Sequence, residues 1–280
     1  MIPEPRDPIS IRSVETKHGG SVHLYDYGGL GRPILFVHGA FGTGRLWDFV
    51  ASSLQSELHP FSVDLIGHGK SDWGMTSDRY QFSYLVDDLL ACLDLVDEQS
   101  IQQPVIIGHS IGSALSMMLA SAYPDRINAA AFLDIDPCPP LHQAEHLNNV
   151  GAREPRVFSG RAELMQAASK TAPEASVRVR EHLCDHGYRS VEKGFQQRFD
   201  QRFLKSIQSW DLTDSLSKIS VPVLVLRGQN STVMTDNGVN DLCSEIKEVT
   251  FKVVPSSTHQ LHLERPSEVA RLISSFCSNT

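Results

Sequence analysis

The sequence predicts an α/β fold: a mostly parallel, eight-stranded sheet with helices on both faces and a helical insertion. Three observations carry this expectation. Short apolar runs alternate with helix-length amphipathic stretches along most of the 280 residues, the pattern of strands joined by helical crossovers. A strand, a serine turn and an apolar helix follow one another without a gap near the middle of the chain. Residues 138–209 then break the rhythm, being rich in Ala, Glu, Arg, Gln and His with no convincing strand.

Taken in order, 9–16 and 21–26 flank His18-Gly19-Gly20 and read as a β-hairpin. Residues 33–37 (Pro-Ile-Leu-Phe-Val) form a buried strand, 45–55 a helix and 61–64 a further strand. In 80–98 the apolar residues Phe82, Leu85, Val86, Leu89, Leu90, Leu93 and Val96 recur at helical spacing. Strands follow at 104–107 and 127–133, with a helix at 111–123 between them. Two more strands, 222–226 and 249–254, precede a closing helix at 267–277 that starts just past Pro266. On this reading 1–137 and 210–280 build the core and 138–209 is inserted into it.

A hydrophobic content of 41% with 21% charged residues is ordinary for a globular chain. The net charge of -8 repels nucleic acid and anionic membranes, so neither is expected as a partner. No stretch reaches the ~18 apolar residues of a membrane span. Met1 to Pro8 is polar and proline-rich, without the apolar region of a secretory signal. The five cysteines (Cys92, Cys138, Cys184, Cys243, Cys277) are odd in number and unpaired in spacing. They read as thiols of a reducing compartment, and the expected location is cytoplasmic. Neither a P-loop nor a Rossmann glycine motif is present, so no nucleotide cofactor is expected.

Gly108-His109-Ser110-Ile111-Gly112 matches the G-x-S-x-G nucleophile elbow. The chemistry needs the serine on a tight strand-to-helix turn, so that its hydroxyl stands clear of the sheet. The glycines remove side chains where strand and helix pass closest. The start of the following helix aims free N–H groups and a positive dipole end at the reaction centre.

Upstream, His38-Gly39-Ala40-Phe41-Gly42 ends the strand that starts at Pro33. With the elbow and a late histidine in this order, the chain resembles the α/β-hydrolase family over nearly its whole length outside the insertion. The resemblance implies Ser110 as nucleophile, His259 as general base, and the backbone N–H groups of Ala40 and Ile111 as the oxyanion hole. It implies a small-molecule substrate and no cofactor, and it makes 138–209 a helical lid; no metal is expected, since the chain's i, i+4 histidine pairs lack an obvious third ligand. Within the lid and at its edge, Phe158, Leu164, Met165, Phe195, Phe199, Phe203 and Trp210 are candidates for the pocket or for packing against the core. A histidine suits the base because its pKa lets it take and return the serine proton near neutral pH. His262 is its rival, placed on the helical turn after the loop. Thr258 stands where relatives usually carry glycine. His38, and Asp64 and His68 in the "DxxGHGxSD"-like loop, are read as structural.

The third triad member departs from the usual pattern. Relatives mostly place an aspartate a few residues after the glycine ending the penultimate strand, where this chain has Ser231 and Thr232. Neither carries the charge that stabilises an imidazolium. Asp134, at the end of the strand following the elbow helix, is the leading candidate. Asp136 and Asp236 remain alternatives, as does a Ser-His dyad. His142 with His146, and His182 with His186, have the i, i+4 spacing of metal ligands but no obvious third ligand.

The expected function is hydrolysis of a small or medium carboxylic ester, thioester or lactone through an acyl-enzyme. Competing readings keep the fold: a carbon–carbon hydrolase or cofactor-free dioxygenase using His259 and Asp134, or a non-catalytic ligand receptor. Acyl-chain length and oligomeric state leave no mark in the sequence.

Overall fold

The computed structural model describes residues 4–98 and 100–280; Met1 to Pro3 of the polar N-terminus lie outside it. Among the described residues there are ten strands: β1 (Ser10–Glu15), β2 (Ser21–Asp26), β3 (Pro33–Val37), β4 (His59–Asp64), β5 (Val105–His109), β6 (Ala129–Leu133), β7 (Tyr188–Val191), β8 (Gly194–Gln197), β9 (Val223–Gly228) and β10 (Val249–Val254). The helices of the first half are α1 (Asp48–Leu54), α2 (Phe82–Asp97) and α3 (Ile111–Ala122). Between β6 and β9 come α4 (Leu141–Gly151), α5 (Arg161–Thr171), α6 (Val177–His186), α7 (Gln201–Ser206) and α8 (Thr213–Leu216). The chain ends with α9 (Asp236–Glu245), α10 (Leu261–Glu264) and α11 (Pro266–Cys277).

Eight strands form one sheet in the order β1-β2-β4-β3-β5-β6-β9-β10. β1 and β2 pair antiparallel, as do β2 and β4, and every other pairing is parallel. All residues of β3, β5 and β6 are buried, which explains their unbroken apolar runs: a parallel strand covered on both faces has no solvent side to mark. Their side chains nonetheless sort by parity. Ile34, Phe36, Val105, Ile107, Ala129 and Ala131 pack with residues of α1 and α11 on one face. Leu35, Val37, Ile106, Ala130 and Phe132 pack with α2 and α3 on the other.

This order also locates a site. After β3 the chain goes to β4 on one side, and β5 returns on the other side of β3. The turns leaving β3 and β5 therefore diverge and open a crevice at the carboxyl ends of the strands.

The segment between β6 and β9 is mainly helical, with one correction. It holds a two-stranded hairpin, β7–β8, where no strand is expected from the sequence. Arg189, Ser190, Gln196 and Gln197 make these strands polar and short, so they lack the apolar alternation that betrays a strand. The helix expected over 45–55 begins as a 3-10 turn at Gly44–Trp47 before α1. The five cysteines are free. No helix among the described residues is long and apolar enough to cross a membrane.

Candidate active site

Ser110 sits between β5 and α3 at φ 56 and ψ -126, outside the broad regions open to L-residues. Three packing facts hold it there. A Cβ on Gly108 would lie 2.2 Å from the Gly112 carbonyl oxygen, and one on Gly112 would lie 2.4 Å from that of Val37. The Ser110 N–H donates to Leu133 O at 2.9 Å, extending the β5–β6 ladder past its end. Ser113, in the first turn of α3, donates to Gly108 O at 2.7 Å and accepts from Leu133 N at 2.8 Å. Serine at position 113 thus ties the elbow to both strands, a role nothing in the motif announces.

Asp134 ends β6 with the same backbone signature, φ 56, and its N–H donates to Leu226 O at 2.9 Å. Its carboxylate is fully buried. Oδ1 accepts from Gly228 N at 2.9 Å; Oδ2 accepts from the Ser231 hydroxyl at 2.5 Å and from His259 Nδ1 at 2.7 Å. Three donors satisfy a buried charge that would otherwise be costly. Ser231, at the position where relatives usually hold the acid, here donates to Asp134 instead. The other two candidates are engaged elsewhere. Asp136 accepts from Thr235 N and Oγ1, each at 2.8 Å, and burial raises its pKa. Asp236 is on the surface, paired with Arg227.

The loop carrying His259 is pinned from two sides. His109, the variable residue of the elbow, donates from Nε2 to His259 O at 2.7 Å. Buried Glu264 accepts from Thr258 N at 2.6 Å and from the Thr258 hydroxyl at 3.1 Å, and its Oε1 also accepts from Glu174 N at 3.0 Å. Threonine in place of glycine is thereby explained by its hydroxyl. His262 lies on α10, as expected, but is buried away from the cavity, with its pKa pushed down to about 3 by burial and by the neighbouring His259.

The turn after β3 is fixed by its own histidine. Leu65 N–H donates to His38 Nε2 at 3.0 Å, so the ring proton is on Nδ1, which donates to Gly39 O at 2.8 Å. Gly42 N donates to the same oxygen at 2.9 Å. In a trans peptide the N–H points opposite to the carbonyl, so locking Gly39 O also sets the direction of the Ala40 N–H. Burial holds His38 well below its ordinary pKa, keeping it neutral. Gly39 is needed because its Cβ would lie 3.0 Å from Ser110 Cβ. Asp64 and His68 are buried outside the cavity. Asp64 accepts from Gly44 N, Tyr25 Oη and Lys70 N at 2.6, 2.7 and 2.8 Å, and His68 Nε2 meets Ala40 O at 2.9 Å.

Ser110, His259, Ala40, Ile111 and Phe41 line one cavity of about 780 Å³, with His142 and His146 of α4 on its wall. The His142/His146 pair thus lines the same cavity as Ser110 and His259. Of the aromatic and apolar candidates in and beside the insertion, only Trp210 reaches this cavity. Phe158 and Leu164 pack inside the insertion, and Phe199 and Phe203 against the core. His182 and His186 lie elsewhere and meet a third donor, Asp48, that their spacing does not reveal.

Residues 32–266 match the model of the alpha/beta hydrolase fold family. The chain belongs to that family. Among curated relatives of this α/β-hydrolase, Esterase YbfF of Escherichia coli is 26% identical over 249 residues, covering 86% of this chain and 91% of the relative. Esterase Rv0045c of Mycobacterium tuberculosis is 25% identical over 275 residues, covering 94% and 88%. The 2-(acetamidomethylene)succinate hydrolase of Mesorhizobium japonicum is 22% identical over 255 residues, covering 89% and 88%. A solved structure of an E-2-(acetamidomethylene)succinate hydrolase superposes with a TM-score of 0.85 at 19% identity, covering 96% of this chain and 99% of that one.

Proposed function

We propose that this α/β-hydrolase cleaves a small or medium uncharged carboxylic ester, thioester or lactone through an acyl-enzyme. The observation that carries the reading is one cavity shared by strained Ser110 and His259, with the far nitrogen of His259 bonded to buried Asp134. Ser110 attacks the carbonyl carbon as its proton passes to His259 Nε2. Asp134 keeps the other ring proton on Nδ1 and stabilises the imidazolium that forms. The N–H groups of Ala40 and Ile111 stabilise the tetrahedral oxyanion, each worth roughly 2.7–4 kcal/mol in such sites. His259 then protonates the leaving alcohol, and water, deprotonated by the same ring, releases the acid. The esterase relatives support the reaction class.

The lining supports the substrate's charge. No Lys, Arg, Asp or Glu occurs among the described residues of the cavity wall, whose polar members are His, Gln, Thr, Ser and Tyr. A carboxylate on the substrate would lose its hydration there without a fixed cation in exchange.

The test is turnover of p-nitrophenyl esters from acetate to long acyl chains, with mono-p-nitrophenyl succinate beside the butyrate of equal length. Wild type should prefer the neutral ester, and Ser110→Ala should fall to the buffer rate. Folded wild-type protein inert on every ester would overturn the proposal, and equal turnover of the succinate would overturn the charge preference.

A further inference from the structure

Away from the catalytic cavity, two parts of the chain distant in sequence bring three metal-type donors together. Asp48 opens α1 in the core, and His182 and His186 stand one turn apart on α6. One donor atom from each lies within 4.8 Å of the others. Asp48 is fully buried, and its carboxylate is held rigidly: Oδ1 accepts from Tyr27 Oη and Oδ2 from Arg45 Nε, both at 2.6 Å. His182 Nε2 stands 3.0 Å from Asp48 Oδ2 and 3.1 Å from Arg45 O. The two imidazoles face each other with centroids 4.3 Å apart. The His186 imidazole has no hydrogen-bond partner among the described residues.

We propose that Asp48, His182 and His186 form a binding site for a divalent transition-metal ion of the zinc type, with its remaining position open to water. The donor set decides the class. Two imidazoles and a carboxylate suit zinc and its neighbours, whereas calcium and magnesium seek all-oxygen shells. Bonds of ~2.0–2.2 Å separate neighbouring donors of a tetrahedron by about 3.4 Å. The present 3.0 Å contact and the 4.8 Å limit bracket that spacing, so side-chain adjustments suffice. Binding requires the proton that His182 Nε2 donates to Arg45 O to leave that nitrogen, and a neutral imidazole can carry it on Nδ1 instead. Arg45 already offsets part of the Asp48 charge, which makes the site weaker than a dedicated structural zinc centre.

The location gives the ion a consequence. Leu183 and Gly187, immediate neighbours of the two histidines, and Tyr188 just beyond line the catalytic cavity. Asp48 belongs to the core helix packed against α11. A metal bridging Asp48 to α6 fastens one wall of the cavity to the core, without touching Ser110, His259 or Asp134.

The experiment titrates ZnCl2 into the EDTA-stripped full chain by calorimetry, with melting temperature as a parallel reading. Wild type should bind one zinc at this site and melt higher when loaded. His182→Gln and His186→Gln, each folded by circular dichroism, should bind it at least ~10-fold more weakly and lose that stabilisation. The double variant His142→Gln/His146→Gln removes the other histidine pair and should retain both effects. No zinc bound by wild type at about 100 µM, a concentration well above the dissociation constants of typical protein zinc sites, overturns the proposal. So does unchanged affinity in His186→Gln, or loss of binding only in the His142/His146 variant. None of these readings depends on ester turnover.

Discussion

At the scale of single residues, the site turns on which carboxylate faces His259. Asp134 Oδ2 accepts from both His259 Nδ1 and Ser231 Oγ, so positions 134 and 231 reach the same point from two different strands. Asp134→Asn should lower kcat/KM by about 10³–10⁴-fold while the fold survives, because an amide there favours the wrong imidazole tautomer. The shared point allows a stricter test. In the Asp134→Asn background, Ser231→Asp places a carboxylate where relatives usually have one, and should recover a measurable part of the lost turnover. Near-wild-type turnover in Asp134→Asn would remove Asp134 from the triad. No recovery in the double variant would mean that position 231 cannot present its carboxylate to His259 Nδ1. The serine, the histidine and the competing aspartates can all be read from the sequence, because each follows a strand end or a motif. The Ser231 bond cannot, since it joins two strands that only the folded sheet makes neighbours.

At the scale of elements, the elbow works by close approach of α3 to β3 and β5. Gly112→Ala would set a methyl 2.4 Å from Val37 O and 2.7 Å from His38 O. Both obstacles are backbone, so strand and helix must part, at a cost of about 1–3 kcal/mol or more. Thermal melts should show Gly112→Ala several degrees below wild type, with turnover lost alongside. Gly160, which precedes α5, offers the control: it is extended at φ 176 with nothing within 4 Å of an added Cβ. Gly160→Ser should be neutral or slightly stabilising, since serine is a favoured residue at that helix start. Equal melting of the two variants would show that the close approach is not what requires glycine at position 112. The same elements show what a sequence carries. Central strands such as β3 and β5 announce themselves by unbroken burial, and α2 by its spacing. The hairpin β7–β8 has neither signal, because its residues pair mainly with one another and not with the core. Likewise the i, i+4 spacing exposes His182 and His186, while Asp48 becomes their neighbour only when α6 packs against the 3-10 turn that precedes α1.

For the molecule as a whole, the unusual feature is a set of neutral histidines buried around the site. His38, His68 and His109 are held below the ordinary histidine range mainly by burial, and His262 is pushed down to about 3. His109 and His262 face each other at 4.3 Å, and His262 meets Trp47 at 4.7 Å, so a proton on one ring would repel a proton on the next. Above about pH 7.5 these rings are neutral in both folded and unfolded chains, and they add no pH dependence. Below about 6.5 the unfolded chain takes up protons that the folded chain refuses, so stability falls as pH falls. For His262 that window extends from about 6.5 down to about 3. At pH 5.5 the refusal of a proton by folded His262 costs about 1.4 kcal/mol. His38, His68 and His109 act in the same direction, against a total stability of roughly 5–15 kcal/mol. Asp64 and Asp136, whose pKa values burial raises, take up protons before their unfolded counterparts and offset part of the loss. Urea unfolding should therefore show stability dropping steeply between pH 7 and pH 5. His262→Phe isolates one term: whatever the new ring costs in packing is common to both pH values. The stability difference between variant and wild type should shift by about 1.4 kcal/mol in the variant's favour on going from pH 7.5 to 5.5. A difference independent of pH would mean that His262 is protonated in the folded protein, and that the buried cluster is not the source of acid sensitivity.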